Sequence, residues 1–206
     1  MGIPVLIIGQ SGTGKTYSIR NMPPESTGVI NVARKPFPFR ARIPGIATDS
    51  YPEITSLLVR ASAHAIIIDD AQYLMANAYM RRAKETGYQK FTDIGLDFWN
   101  LVQEAIRLPA EKIIYFIGHT EVTDIGGVKF KTIGKMLDEK ITVEGMFAIV
   151  LRTVVQDGVY QFSTQNDGRD TCKSPPEMFA SQYIPNDMLL VDQAIRAYYG
   201  LDGQHG

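Results

Sequence analysis

The run Gly9-Gln10-Ser11-Gly12-Thr13-Gly14-Lys15-Thr16 carries the spacing G-x-x-x-x-G-K-[ST] in full. Glycines let a backbone curl tightly and turn its N–H groups toward one point, a concave nest for an anion. The lysine adds a cation that reaches β- and γ-phosphates, and the hydroxyl beside it ligates magnesium. A glycine-rich turn with a chance lysine is the plain alternative. The apolar run before the loop and the helical pattern after it favour the phosphate reading. The expected nucleotide contacts are therefore Gly9, Gln10, Ser11, Gly12, Thr13, Gly14, Lys15, Thr16 and Tyr17. ATP is the expected ligand and Mg2+ its companion ion.

A phosphate-bound magnesium needs a second anchor on a neighbouring strand. Ala65-Ile66-Ile67-Ile68-Asp69-Asp70 offers one, since four apolar residues deliver two acids to a strand's C-terminal end, the edge where open α/β sheets collect ligands. Asp69 is the candidate magnesium partner, through a coordinated water. Asp70 is the candidate that orients and polarises an attacking water. Helix N-capping is the alternative for this pair. A third strand, residues 113–117, runs into Gly118-His119-Thr120. His119 there is either a sensor of the γ-phosphate or a strand-end histidine satisfied by local backbone.

These residues need a scaffold, and the hydrophobic pattern predicts one. Strands are expected over residues 3–8, 28–32, 65–68 and 113–117, with helices after the glycine-rich loop (from about residue 14 to before Pro23-Pro24), over 51–63, from about 71, and over 93–108. Residues 34–44, with Pro36, Pro38 and Pro44, read as loop, and 84–92 as a polar interruption. Phe98, Leu101, Val102, Ala105 and Leu108 space out a core-facing stripe. Past residue 120 the pattern changes. A hairpin is expected over 122–132 around Gly126-Gly127, and a second joins 147–155 to 159–164 across Asp157-Gly158. Asn186 is the expected cap of a last helix that reaches Tyr199 and stops at Gly200. Strand–helix alternation over the first 120 residues predicts an α/β fold with a mostly parallel sheet flanked by helices, antiparallel strands being added toward the C-terminus. No repeat or low-complexity linker divides residues 1–206, so one domain is expected.

Composition narrows the class. The 206 residues are 45% hydrophobic and 21% charged, ordinary for a globular protein. A formal net charge of -1 gives no global basic field to attract nucleic acid, so any DNA contact must be local. A lone cysteine, Cys172, forms no internal disulfide and offers no multi-cysteine metal site. No apolar run approaches the ~20 residues of a membrane span. The expected setting is the cytoplasm, that of the host if the chain is phage-encoded.

The phosphate loop, the Asp69-Asp70 strand end and the strand ending in His119 follow the plan of RecA-like ATPases. The chain resembles the small bacteriophage ATPases of the RecA/AAA type, some of which are implicated in single-strand annealing and recombination. The late segments Gly168-Arg169-Asp170-Thr171-Cys172-Lys173-Ser174-Pro175-Pro176-Glu177-Met178-Phe179 and Thr132-Ile133-Gly134-Lys135-Met136-Leu137 extend the likeness. The resemblance implies a RecA-like ATPase that hydrolyses ATP and acts on single-stranded DNA as an oligomer, alongside phage replication or recombination proteins. It also implies that Lys173 reaches a neighbouring subunit's nucleotide, with Arg169 a weaker candidate and a solvated loop lysine the alternative.

Two features depart from that plan. Where RecA-like enzymes often carry a catalytic glutamate, the second strand ends Asn31-Val32-Ala33-Arg34; the role falls to Asp70 or goes unfilled. The phosphate loop begins close to residue 1, so a ring or short filament is expected rather than a RecA-type filament. Residues 81–91 and 128–135 interleave cations with aromatics, as single-strand-binding surfaces do and as solvated helix ends and hairpins also do. The rival readings are a nucleotide-dependent interaction module and a small-molecule or nucleotide kinase.

Overall fold

In the computed structural model of the chain, residues 1–40, 43–124, 126–134 and 140–201 are described. The run Ile3–Gly9 forms β1. Its alternate residues point to opposite faces, and both faces are apolar, which is the signature of a strand covered on both sides. The same holds for β2 (Thr27–Asn31), β4 (Ala65–Asp69) and β5 (Ile113–Val122). A two-residue strand β3 (Gly45–Ile46) precedes helix α1 (Tyr51–Arg60). Helices α2 (Gln72–Arg81) and α3 (Gln89–Arg107) lie between β4 and β5. The chain then adds β6 (Val128–Phe130), β7 (Ile149–Gln156), β8 (Val159–Ser163), β9 (Tyr183–Pro185) and α4 (Met188–Tyr199).

Among the described residues these nine strands join one sheet in the order β3-β2-β4-β5-β1-β7-β8-β9, with β6 paired to the end of β5. The pairs from β3 through β7 are parallel, and β7-β8-β9 and β5-β6 are antiparallel. The fold is therefore α/β with a mostly parallel sheet and antiparallel strands toward the C-terminus, as the pattern predicts. Leu6, Ile8, Ile68 and Phe116 bury one face under Ile54, Leu74, Phe98 and Val102 of α1, α2 and α3. Val5, Ile7, Ile67 and Ile117 bury the other against Ile19 and against Met188, Val191 and Ile195 of α4. A polar bolt fixes that second layer: the buried Tyr115 hydroxyl donates to Asp192 Oδ1 at 2.7 Å, and Arg196 pairs with the same carboxylate at 2.6 Å.

Several elements differ from expectation. The segment behind the glycine-rich loop is a short 3-10 helix, Thr16–Asn21, not an α-helix begun at Gly14. Only six residues separate Lys15 from Met22, Pro23-Pro24 bars further growth, and the Ser18 hydroxyl donates to the Lys15 carbonyl at 2.6 Å, tightening the turn. So short a helix contributes little macrodipole, and anion binding falls to the loop itself. Helix α1 stops three residues early, and α3 starts four residues before Asp93. Strand β5 runs on through Val122, so His119 sits within a strand rather than at its end. The 122–132 hairpin is the pairing of that extension with β6, from Thr120 opposite Phe130 to Val122 opposite Val128. Asp157 and Gly158 both take positive φ (51° and 77°), the twist that a two-residue hairpin demands. The cap of α4 is Asp187, whose Oδ1 accepts the Leu189 N–H at 3.1 Å, and not Asn186.

No described helix is long and apolar enough to cross a membrane. Tyr115→Phe should lower unfolding free energy by about 1–3 kcal/mol without changing the urea m-value, because Asp192 loses a buried donor while the packing volume is kept. Chemical denaturation of the two proteins checks this.

Candidate functional site

Parallel register carries the candidate residues to one edge. Gly9 at the end of β1 lies opposite His119 of β5, and Asp69 ends β4 on the far side of β5. On the other flank, Ile8 pairs with Arg152 of β7, which brings Thr153 beside Gly9. That approach is why residue 9 is glycine. A Cβ there would stand 1.9 Å from the Thr153 hydroxyl and 2.8 Å from that of Thr13. The Thr13 hydroxyl hydrogen-bonds with Thr153 and also donates to the Gln10 carbonyl at 2.8 Å, which pins the loop to the sheet. Gly12 and Gly14 take φ of 79° and 88°. Among the described residues, the backbone N–H groups of Gly12, Thr13, Gly14 and Lys15 donate to no protein acceptor. They form the donor-rich concavity that an anion requires.

Lys15 is buried. Its Nζ donates to the carbonyls of Gly9 at 2.9 Å and Gln10 at 2.7 Å, inside the loop it belongs to. Burial pulls its pKa down to about 8, against the opposing pull of Asp70 and Asp69. The Thr16 hydroxyl lies 3.1 Å from both oxygens of Asp69. This hydroxyl and carboxylate set oxygen groups of the kind magnesium takes beside the glycine-rich loop. Burial, reinforced by the charge of Asp70, raises Asp69 to about 6, above the ordinary carboxylate range, despite the Thr16 hydroxyl and Lys15. A carboxylate held in so dry a place is a strong partner for a cation.

Asp70 takes a left-handed backbone conformation (φ 60°) where β4 turns into α2, a geometry aspartate tolerates better than most residues. Its carboxylate is doubly engaged. Lys35 Nζ approaches Oδ2 at 2.8 Å, and His119 Nε2 stands 3.4 Å from Oδ1. Burial opposes ionisation, but the hydrogen bonds from His119 and Lys35 outweigh it and bring Asp70 down to about 2. It is thus a poor proton acceptor. The backbone N–H of His119 donates to Gln72 Oε1 at 3.2 Å, and its ring meets Tyr73 edge-on.

These groups surround a cavity of about 720 Å3, lined from the loop by Ser11, Gly12, Gly14, Lys15, Thr16 and Tyr17. Asp69, Asp70 and His119 also line it. Gly9, Gln10 and Thr13 shape the loop from behind. At the far end stand Arg20, Tyr160, Pro185 and Asn186, with Arg20 over the Tyr17 ring at 4.5 Å. Sequence spacing gives no sign of this end, because residues 160 and 185–186 reach the loop only through the antiparallel strands. Nor does it single out Lys35, a lone lysine in a proline-rich loop after a strand end without an acid.

Other candidates lie elsewhere. Lys173 is joined to Val150 by two backbone hydrogen bonds, 2.8 and 2.9 Å, and does not line the cavity. Its segment is held by Asp170, whose buried carboxylate pairs with Arg152 at 2.8 Å and accepts the Cys172 N–H at 3.0 Å. Arg169 is exposed. In the first basic stretch Lys90 is buried over the Tyr79 and Phe91 rings, Arg82 pairs with Glu85 and Asp93, and Lys84 and Tyr88 stay exposed. In the second, Phe130 belongs to the core, Lys129 pairs with Glu121 at 3.3 Å, Lys131 is exposed, and Lys135 lies outside the described residues. Phe130, Phe91 and Lys90 are thus committed to packing rather than to a surface.

No family model matches the chain, and no curated protein matches it either.

The raised Asp69 carries a testable sign. Its folded pKa lies above the ordinary value, so its favourable contribution is present below about pH 4 and lost as pH rises through about 6. Asp69→Asn should therefore raise the thermal midpoint of nucleotide-free, magnesium-free protein by several degrees at about pH 8 and by much less at about pH 5. An equal shift at both would contradict the burial argument.

Proposed function

We propose that this protein is a RecA-like P-loop ATPase that binds and hydrolyses ATP and acts on single-stranded DNA as a homo-oligomer in bacteriophage recombination or replication. The observation that carries the reading is the meeting of the Thr16 hydroxyl with Asp69 at 3.1 Å beside the Gly9–Thr16 loop. A 53-residue separation in sequence closes there into the donor set of a phosphate-bound magnesium site. The order β4-β5-β1 also agrees with the RecA-like plan, since it sets the acid strand, the His119 strand and the loop strand side by side.

The reaction is transfer of the γ-phosphoryl group to water, giving ADP and inorganic phosphate. The loop N–H groups bind and orient the phosphate chain. Lys15 leaves its two carbonyl partners and stabilises charge on the transferring oxygens. Thr16 and Asp69 would hold magnesium, which would supply positive charge to the phosphates. Asp70, low in pKa and braced by His119, orients the water rather than removing its proton early; the proton passes to the phosphate as it forms. Lys173, docked on Val150 outside its own cavity, serves a neighbouring subunit in a ring or short filament. Exposed Lys84, Tyr88 and Lys131 are the DNA-facing groups that remain from the two basic stretches.

A second reading, a nucleotide-dependent interaction module or loader with little turnover, draws on one observation: both cavity carboxylates are already engaged, Asp69 by Thr16 and Asp70 by Lys35 and His119. A kinase fits less well, because among the described residues lining the cavity Arg20 is the one arginine.

Phosphate release with and without single-stranded DNA separates these readings. Wild-type protein should turn over and respond to the strand, and folded Lys15→Ala should lose turnover by orders of magnitude. Near-normal release from that variant would refute the reading. For the trans role, mixing inactive Lys15→Ala with inactive Lys173→Ala should restore partial hydrolysis once labelled chains show subunit exchange. A lysine acting in its own subunit gives no rescue.

A further inference from the structure

Lys35 belongs neither to the glycine-rich loop nor to the acid pair, yet the structure delivers its ammonium into the same cavity. The delivery is built. The Asn31 carboxamide accepts the Lys35 N–H at 3.2 Å and donates to the Lys35 carbonyl at 2.6 Å. Arg34 takes a left-handed φ of 56° to close that turn, and Pro36 stiffens the far side. The backbone is clamped while much of the side chain is exposed. Its Nζ rests 2.8 Å from Asp70 Oδ2 and 4.9 Å from the Tyr73 ring centroid, and 57% of the side chain is exposed.

That exposure separates Lys35 from the other charged groups at the phosphate end, since Lys15, Asp69 and Asp70 are all buried. An ion pair with one partner in solvent holds weakly, so Lys35 can exchange Asp70 for a more highly charged anion at little cost. Phosphate oxygens are such an anion, and lysine meets them as a point charge on a flexible stem.

We propose that Lys35 is a second cation for the terminal phosphate of a nucleoside triphosphate, acting within its own subunit and parked on Asp70 when no nucleotide is bound. This rests on reading the cavity as a nucleotide site. A diphosphate ends short of the group Lys35 meets, so Lys35 distinguishes triphosphate from diphosphate. When it turns to the phosphate, Asp70 keeps His119 and frees Oδ2 for a water. The strand end that carries no acid thus presents a cation instead, and nucleotide binding itself releases Asp70.

The test measures equilibrium binding of ADP and of a non-hydrolysable ATP analogue, both with magnesium, to wild type, Lys35→Met, Asp70→Asn and the double variant. Lys35→Met should weaken the analogue by about tenfold or more while moving ADP by less than about twofold. Asp70→Asn removes the carboxylate that competes for Lys35 and should bind the analogue at least as tightly as wild type. The double variant should stay as weak toward the analogue as Lys35→Met. If Lys35 merely neutralised Asp70, removing both would restore analogue affinity, and that result would overturn the proposal. So would an unchanged ratio of analogue to ADP affinity in Lys35→Met when wild type binds both ligands. Wild-type protein that binds neither nucleotide would instead overturn the nucleotide reading and this inference with it.

Discussion

Lys15, Asp69 and Asp70 are each buried at the end of a parallel strand or in the turn that follows it, and a charge taken out of water there must find a partner or change its protonation. The protein answers each case differently. Lys15 folds back onto two loop carbonyls and drops toward 8. Asp69 keeps one hydroxyl and rises toward 6, and Asp70 gathers His119 and Lys35 as partners and falls toward 2. Two adjacent carboxylates are thus pushed in opposite directions by what each one touches.

The rest of the fold makes that burial possible. A sheet apolar on both faces, covered by α1, α2 and α3 on one side and α4 on the other, keeps strand ends in register to within a residue. The register brings Gly9, His119 and Thr153 together and allows the Thr153 hydroxyl to crowd Gly9. The antiparallel strands do more than enlarge the sheet. They fold Tyr160, Pro185 and Asn186 back over the loop, so the cavity is closed by the last third of the chain. The bolt between Tyr115, Asp192 and Arg196 ties that late portion to a central strand.

The late segment around Lys173 has a structural task. Arg152 and Asp170 neutralise one another in the interior, and Lys173 extends the pairing of β7 through its backbone. Lys173 so anchored has its main chain fixed and is not among the residues that line the cavity. The two basic stretches divide as well: Lys90 and Phe130 are buried, whereas Lys84, Tyr88 and Lys131 are exposed. Sequence alternation of cations and aromatics reports amphipathic side chains, and whether an aromatic faces water or core depends on what lies opposite.

The sequence by itself determined the glycine-rich loop, the acid pair, the parallel strands and the late hairpin, because each is a local matter: spacing, apolar periodicity and turn chemistry act over a few residues. It also set the apolar stripe of α3, which the structure buries through Phe98, Leu101, Val102 and Ala105. Tertiary structure alone decided what depends on neighbours distant in the chain. It moved the last helix cap from Asn186 to Asp187, shortened the segment after the loop to a 3-10 helix, and set Lys35 on Asp70. It also placed Lys173 away from its own cavity and sent Phe130 to the core. Those outcomes turn on desolvation and on strand register, and neither is defined until the sheet has assembled.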